Sequence, residues 1–475
     1  MKKYISKLIL AVFTTTAFVS CTEDVLTDPA PTESVTEEVV FNSREGVEAL
    51  MSGILRNFRG QFTSTDAAGV NSIYFARVMK GNDVIQANNW FGFDYTNDNR
   101  EPTYRRTVFN WEFPYYIINQ ANTLINGVEA SEAIPAEDKA QLSAQGKAIR
   151  AFMYFQLAME YQHTYTYDAT LPAPPIYLEL SLEGKPMSTL QEVYDLIIDD
   201  LTYAVANLDD YRLGKSYVNQ NVANAILARV YQVTENWSGA KEAAMLAYGG
   251  SPSSVLDAAS YGNGFSDITN EEWIWAAPQS TDQSNYYWGA PHSMADHYTL
   301  SYAATHFNND FVNLFSATDV RNLFQNAYGV AAEDFRHYVT SKFEFNFDSD
   351  FAYIRTPEMI LIEAEANYHL GDEATAHDLL FAIQSNRDAN AVKSNNTGNA
   401  LFEEILVERR KELYAETGVE WFDAKRLQRG ITRTGNHRVK ESASLSANDV
   451  RFFLKIPQEE IDANINIDDN INVGR

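Results

Sequence analysis

Apolar residues recur at helical spacing along most of the chain, and this pattern predicts a mostly α-helical fold. In one clear case, Leu142, Ile149 and Leu157 fall on a single helical face. Residues 406–430 show the same periodicity in two parts, separated by a glycine. We predict two helices there with a stop at Gly418, because glycine adopts a left-handed backbone without strain.

Short turns between these helices predict helical pairs. Alanines at close-packing positions in residues 221–231, followed by a turn and a further helix to Tyr248, are typical of tetratricopeptide-like hairpins. Residues 356–369 and 373–387 repeat the pattern across a Leu-Gly-Asp turn. With residues 406–430, we expect about four pairs, spaced too irregularly for a plain repeat array.

Residues 250–355 interrupt the helical pattern and predict an irregular, loop-rich lobe. Residues 272–275 alternate as a strand does, and residues 335–347 contain short strand-like runs. We therefore expect a few short β-strands in this lobe. The predicted parts of a single domain over 37–475 are a helical scaffold at about 37–249 and 356–430, the irregular lobe at about 250–355, and a closing segment at 431–475.

Two segments concentrate aromatic residues among polar ones, the first in residues 81–100 and the second in residues 286–302. Asn and Asp favour loops because their side chains compete for backbone hydrogen bonds. Large rings in such polar loops are hard to bury together, which indicates ring platforms for a ligand; the alternative is a loop pinned to the core by one or two rings. The candidate ligand-binding residues are Trp90 and Trp288 as first platforms, Phe91, Tyr95, Tyr286 and Tyr287 as supporting rings, and Asp83, Asn88 and Asn89 as hydroxyl contacts.

The N-terminus has the pattern of an export signal. Three lysines precede a mostly apolar run over residues 8–19, which is too short to span a bilayer as a helix, so residues 1–20 are predicted to be a signal peptide. Cys21 follows a small residue, as the acylated cysteine of a bacterial lipobox does. An ordinary signal peptide with a chance cysteine is the alternative. Residues 21–36 are predicted to form a lipidated, flexible tether.

Charge and cysteine content exclude several classes of protein. The 475-residue chain has 64 acidic and 37 basic residues, a net charge of −27. Nucleic-acid binding and unaided contact with an anionic membrane both need a basic surface, so neither is expected. With one cysteine, the chain has no intrachain disulfide and no thiolate metal cluster.

No catalytic motif stands out. Gly214-Lys215-Ser216 lacks the earlier glycine of a phosphate loop, and no zinc-protease or nucleophile-elbow motif occurs, so we predict no cofactor, no metal site and no enzyme. A glycosidase needs only two suitably spaced carboxylates, and the sequence leaves that alternative open. The adjacent acids at 199–200 and 271–272 are interpreted as solvated faces.

One ordered pattern of charged and aromatic residues resembles the C-terminal signature of the SusD/RagB family. It comprises Glu408, Arg409, Arg410, Lys411, Glu412, Leu413, Glu416, Trp421, Phe422, Asp423, Lys425 and Arg426. Residues 148–155, followed by Tyr161, resemble a second family hallmark. Within these resemblances, Arg150 and the Asp319–Arg321 pair are expected to form structural ion pairs rather than ligand contacts.

The resemblance implies a function. Members of this family are surface lipoproteins that bind nutrients, usually glycans, beside a TonB-dependent transporter. We therefore expect an outer-membrane, cell-surface, lipid-anchored protein that captures oligosaccharides and passes them to a SusC-like TonB-dependent transporter. The alternatives are binding of peptides or another nutrient by the same fold, a transporter lid without glycan affinity, and a glycoside hydrolase with an unrecognised carboxylate pair.

Overall fold

The computed structural model of the protein describes most of the chain after the predicted tether. The described ranges are residues 37–59, 66–87, 91–98, 100–280, 304–346 and 348–475. The predicted signal peptide and the predicted lipidated tether, with Cys21, lie outside the described residues.

Fifteen α-helices and eight short strands occur in the described residues. The helices are α1 (Glu37–Val40), α2 (Arg44–Asn57), α3 (Gly69–Met79), α4 (Gly92–Thr96), α5 (Arg105–Ala130), α6 (Ala136–Tyr161), α7 (Leu190–Asn207), α8 (Gln220–Val233), α9 (Trp237–Tyr248), α10 (Asn309–Val312), α11 (Thr356–His369), α12 (Glu373–Arg387), α13 (Asn399–Leu413), α14 (Val419–Arg426) and α15 (Gln458–Ala463). The strands are β1 (Val84–Gln86), β2 (Pro172–Ala173), β3 (Ser188–Thr189), β4 (Trp273–Ala277), β5 (Thr305–Phe307), β6 (Phe324–Gln325), β7 (Val339–Thr340) and β8 (Phe351–Arg355).

Consecutive helices pack in pairs, as the periodicity predicts. Helix α5 packs on α6, α8 on α9, α11 on α12, and α13 on α14, while α9 also packs on α11 and so joins two pairs across the irregular lobe. The prediction of a mostly α fold with tetratricopeptide-like hairpins is confirmed.

Side-chain caps define the starts of three of the paired helices. Asn219, Asn236 and Asp372 each accept a backbone N–H from the residue three positions on, at the starts of α8, α9 and α12. Such caps satisfy one of the amide groups that the first helical turn leaves without a partner. They set where these three helices begin.

The turn between α13 and α14 differs in detail from the prediction. Helix α13 ends at Leu413, and Gly418 immediately precedes α14, so the glycine starts the second helix rather than ending the first. Its φ is +75°, and a Cβ there would lie 2.8 Å from the backbone carbon of Arg77 and 2.9 Å from the amide nitrogen of Val78. Glycine is needed for both conformation and the close approach of α3.

Strands of the irregular lobe form two-stranded antiparallel pairs, one of them with β1 from the helical scaffold. Strand β1 pairs with β5, β4 with β8, and β6 with β7, while β2 and β3 pair within the scaffold. All five residues of β4 are buried, so this strand is enclosed on both faces rather than half exposed. A second hydrophobic cluster, separate from the main helical core, lies around β1 and β5.

A buried ion network joins the scaffold to the lobe. We define it as five basic and five acidic side chains: Arg321, Lys342, Arg355, Arg387 and Lys411 with Glu272, Asp319, Glu408, Glu412 and Glu416. Glu412 contacts three guanidinium groups, at 3.0 Å from Arg387 and 3.1 Å from both Arg355 and Arg321. Burial opposes the charge of Glu412, but the three arginines outweigh it and hold its pKa well below its usual range.

Two interpretations of acidic residues need correction. Glu272 is buried between Arg355 and Arg387, and Asp200 is buried against Arg150, which it meets through two hydrogen bonds of 2.8 Å. Only their neighbours at 199 and 271 are exposed. The sequence shows the charge but not the distant arginine that removes it from water. The structural ion pairs expected for Arg150 and for Asp319 with Arg321 are present.

The residue types at Ser188 and Gln191 predict a capping box at the start of α7, but the capping box in the structure lies one residue further on. Thr189 accepts the amide of Glu192, and the carboxylate of Glu192 accepts the amide of Thr189.

Among the described residues, none of the helices combines the length and the apolar character that a membrane span requires.

Candidate ligand-binding site

Two of the predicted supporting rings belong to the core. Phe91 is 0% exposed and packs edge-on against Phe75, with their centroids 4.6 Å apart. Tyr95 is 2% exposed, and its hydroxyl group lies 3.0 Å from Nδ1 of His437. The guanidinium of Arg433 covers the Tyr95 ring at 4.2 Å. Neither ring offers a face to a ligand in this structure, so the prediction for Phe91 and Tyr95 is wrong.

Asp83 is also committed to the fold. Its carboxylate pairs with Arg410 through two hydrogen bonds, of which the one from Nε is 3.2 Å. Its backbone N–H donates to Glu420 at 3.1 Å. Because the side chain is buried and paired, Asp83 positions the chain before β1 and does not present a free carboxylate to a sugar. The predicted hydroxyl contact is therefore corrected.

The remaining candidates lie outside the described residues, and their roles stay predictions. They are Asn88, Asn89, Trp90, Tyr286, Tyr287 and Trp288.

The described residues that flank these candidates meet at one place. In the β1–β5 pair, Val84 is opposite Phe307 and Gln86 is opposite Thr305. Beyond the strands, the backbone N–H of Ala87 donates to the carbonyl of Ala304 at 2.7 Å. We call the Ala87–Ala304 pair the ribbon junction. The residue before segment 88–90 and the residue after segment 281–303 are thus hydrogen-bonded neighbours.

A single asparagine anchors the start of the β1–β5 pair, which we call the ribbon. The amide of Asn82 donates to Glu420 at 2.6 Å, and its carbonyl accepts from Asn308 at 2.9 Å. The same carbonyl lies 2.8 Å from Nε2 of His437. Its side-chain oxygen accepts the amide of Thr434 at 2.8 Å. Partners from three distant parts of the chain therefore fix the residue that leads into β1.

A cluster of described side chains lies at the other end of the ribbon, near the junction. Arg438 is exposed, but its Nη1 donates to the carbonyl of Gln86 at 2.7 Å and its guanidinium lies 5.3 Å from the Phe335 ring. Arg336 lies over the same ring at 5.7 Å. Tyr328 is exposed and lies near His306 of β5. This cluster is not predictable from the sequence, because no periodicity or motif links positions so far apart.

Burial sets the charge states beneath the ribbon. Desolvation raises the pKa of Glu420 to about 7, and the neighbouring carboxylate of Asp83 acts in the same direction. Burial lowers the pKa of His437 to about 3, and nearby Arg433 lowers it further. His437 is therefore neutral at physiological pH and can act as a hydrogen-bonding group only. Both groups hold the backbone in place through their hydrogen bonds to residues 82 and 83.

Metal binding finds no support in this part of the chain. Within the described ranges, no group of three His, Cys, Asp or Glu side chains is placed to hold a metal ion.

Comparison with known families agrees with the fold. Residues 265–472 match the model described as SusD family. Residues 31–232 match a second model of the same kind, described as starch-binding associating with outer membrane. Together the two models cover most of the chain. The chain belongs to the SusD family.

Solved SusD-family structures superpose over nearly the whole chain. A SusD-like carbohydrate-binding protein from Bacteroides vulgatus ATCC 8482 is 25% identical, with a TM-score of 0.80 over 90% of this chain and 98% of that chain. A SusD superfamily protein from Bacteroides thetaiotaomicron VPI-5482 is 22% identical, with a TM-score of 0.78 over 90% and 99%. A curated SusD-like protein from Bacteroides ovatus is 24% identical over 246 residues, which span 49% of this chain but only 40% of that relative.

The SusD signature residues themselves are structural in this chain. Arg409 and Arg426 both bond Asp423, at 3.0 and 2.7 Å, and Arg426 also bonds Glu365 at 2.6 Å. Trp421 is fully buried. These residues of the motif thus build the frame under the ribbon.

Proposed function

We propose that this protein is a cell-surface, glycan-binding lipoprotein that captures oligosaccharides and delivers them to a SusC-like TonB-dependent transporter. The SusD-like relative from Bacteroides vulgatus is described as carbohydrate binding, and one matching family model as starch-binding, which supports a carbohydrate as the ligand. In this proposal the protein has no catalytic role, and hydrolysis belongs to other proteins.

The observation that carries the proposal is the ribbon junction. Ala87 and Ala304 are joined by a 2.7 Å hydrogen bond; Ala87 lies within the first aromatic segment of the sequence, and Ala304 follows the second by two residues. Trp90 follows Ala87 by three residues, and Trp288 belongs to the segment that ends before Ala304. A shared attachment point favours one binding surface built from both segments.

The chemistry of that surface suits a sugar. The C–H faces of a pyranose stack on flat aromatic rings, and its hydroxyl groups bond to amide side chains. Stacking of this kind contributes about 1 kcal/mol per ring, by analogy with base stacking. In this proposal Trp90 and Trp288 are the platforms, supported by Tyr286 and Tyr287, while Asn88 and Asn89 bond hydroxyl groups.

A double substitution tests this surface. We expect Trp90→Ala with Trp288→Ala to abolish binding of the oligosaccharides that the wild type binds in a calorimetric screen. Helical content by circular dichroism should not change. Trp237→Ala is the matched control, because Trp237 stacks on His369 within the helical scaffold at 3.9 Å. It removes an indole without touching either aromatic segment.

Three results would contradict the proposal. Unchanged affinity of the double variant would refute the surface. Release of shorter sugars from an oligosaccharide by the purified wild type would replace binding by hydrolysis. Affinity for peptides without affinity for any glycan in the screen would change the ligand class.

The membrane anchor has its own test. Acylation contributes about 0.8 kcal/mol per buried methylene, so several acyl chains on Cys21 would anchor the protein firmly. We expect Cys21→Ser to move the protein from the membrane fraction to the soluble fraction of the producing bacterium. Retention of the variant in the membrane fraction would contradict acylation at Cys21.

A further inference from the structure

A cleft on the exposed face of α5 has the dimensions of a small-molecule site. It holds about 360 Å³, within the usual range for ligand pockets. Side chains of α5 line one side of it, residues 177–181 line another, and α15 contributes Glu460. None of the residues that line it belongs to the ribbon junction or to the two aromatic segments.

Four aromatic side chains line the cleft: Trp111, Tyr115, Tyr116 and Tyr177. Tyr116 is 46% exposed. The centroid of the Tyr115 ring lies 5.1 Å from that of Trp111 and 5.8 Å from that of Tyr177. The hydroxyl of Tyr115 donates to the carbonyl of Pro175 at 2.7 Å, which fixes this ring without any ligand. The aromatic surface is therefore largely preformed.

Among the described residues, three carboxylates and no basic side chain complete the lining. They belong to Glu112, Glu179 and Glu460. Glu112 and Glu179 are exposed and Glu460 is half-buried, and within the described ranges none of the three forms an ion pair. Glu460 accepts hydrogen bonds from Trp111 and from Asn464, the residue after α15, and these hold it in place. Burial raises the pKa of Glu112, and neighbouring Glu459 adds to the effect.

We propose that this cleft binds a ligand that carries a protonated amine or guanidinium group on a body rich in C–H groups. A cation is attracted to the face of an aromatic ring, and its N–H groups make charge-assisted hydrogen bonds to carboxylates. One ring of the cleft already makes a cation–π contact within the protein, because the ammonium of Lys185 lies 5.3 Å from the centre of the Tyr177 ring. Lys185 itself does not line the cleft.

The wall formed by residues 177–181 lines the cleft through Tyr177, Glu179 and Ser181. The leucines that alternate with them are exposed but do not line the cleft. The C–H body of a bound molecule would therefore rest on the aromatic rings of the lining, which bury apolar surface well.

Two sources share this chemistry, an amino sugar and a basic peptide, and the experiment separates them. The purified protein is titrated calorimetrically with the glucosamine trimer, with its neutral N-acetylated counterpart, and with trilysine. The test variant is Glu112→Gln with Glu179→Gln, since both carboxylates are exposed and neither makes a hydrogen bond or ion pair among the described residues. The matched control is Glu132→Gln with Glu183→Gln, two exposed acids that do not line the cleft.

We expect at least one cationic probe to bind the wild type and to lose about tenfold or more in affinity in the test variant, with little change in the control. Added salt should weaken the same binding. Binding of the glucosamine trimer alone identifies an amino-sugar site, and binding of trilysine alone identifies a basic-peptide site. Binding of both probes identifies a site that recognises the cationic group and not the rest of the molecule.

Three results would overturn the proposal. One is that neither cationic probe binds. Another is that the test variant binds the cationic probe no more weakly than the control variant does. Such equality would mean that the two carboxylates of the cleft do not contact the probe, or that any loss is a general effect of charge. The third is preference for the neutral trimer. None of the probes or variants involves Trp90 or Trp288, so this test and the test of the proposed function fail independently.

Discussion

The carboxylate of Glu420 accepts the backbone N–H of Asn82 at 2.6 Å. This bond ties α14 to the residue that leads into β1, and the same oxygen also accepts the amide of Asp83 at 3.1 Å. Glu420 is enclosed beside the carboxylate of Asp83, which raises its pKa to about 7. The base of the proposed ligand surface therefore contains an acid that changes charge near neutral pH.

Glu420 should make stability depend on pH. A carboxyl group whose pKa is raised on folding binds its proton more tightly in the folded state, so its contribution is full below its ordinary pKa and is lost as pH rises through about 7. We expect the free energy of unfolding, from urea titrations, to fall between pH 5 and pH 8. Glu420→Gln should remove about 2 kcal/mol of that fall. Glu271→Gln, at an exposed acid, should leave the slope intact, and equal slopes in all three proteins would contradict the assignment.

Replacing the carboxylate of Glu412 by a neutral amide should lower the free energy of unfolding more than the same change at most other carboxylates. It contacts Arg321, Arg355 and Arg387 in a network of five basic and five acidic groups, so a glutamine there leaves buried positive charge without compensation. We expect Glu412→Gln to lower the free energy of unfolding by about 3–5 kcal/mol. Glu403→Gln on the same helix removes only an exposed pair with Arg429 and should cost less than about 1 kcal/mol. Similar losses in the two variants would show that the network carries no special stability.

Local sequence patterns predict the scaffold well, because helices depend on residues three or four positions apart. The α11–α12 pair with its short turn and the hairpin around Gly418 both follow from short windows. The errors at this level are small, as in the capping box that uses Thr189 and Glu192. They reflect side-chain choices among adjacent candidates rather than a wrong period.

The candidate site is predicted less well, because burial there depends on partners distant in sequence. Phe91 and Tyr95 occur among polar residues, yet Arg106 covers the first ring at 5.0 Å and Arg433 the second at 4.2 Å. A ring in a polar segment can thus be buried under arginine. Asp83 shows the same effect, since its partner Arg410 lies 327 residues away.

Gly418 should tolerate alanine worse than another glycine with a similar backbone. A Cβ at Gly418 would lie within 3 Å of the backbone of Arg77 and Val78, whereas one at Gly371 meets no atom within 4 Å. Both have positive φ, +75° and +83°. We expect Gly371→Ala to cost about 1 kcal/mol from backbone strain. Gly418→Ala should cost about 2 kcal/mol more, because α3 and α14 must separate. Equal midpoints in urea would refute the requirement for close approach.

Arg438 and Arg336 offer a matched pair for testing how the ribbon supports ligand binding. Both guanidinium groups lie over Phe335, but only Arg438 also reaches the ribbon, where it bonds the carbonyl of Gln86. Arg336 instead pairs with Asp334 at 2.7 Å.

Because Gln86 immediately precedes the ribbon junction, loss of the Arg438 bond should loosen the point where both aromatic segments attach. A hydrogen bond to a charged donor contributes about 1.5 kcal/mol or more. We therefore expect Arg438→Met to weaken binding of the oligosaccharide found in the calorimetric screen by about tenfold, with little change in thermal midpoint because the side chain is exposed. Arg336→Met should leave affinity unchanged. If both variants bind equally well while Trp90→Ala with Trp288→Ala does not bind, the ligand surface stands, but it does not depend on Arg438 for its position.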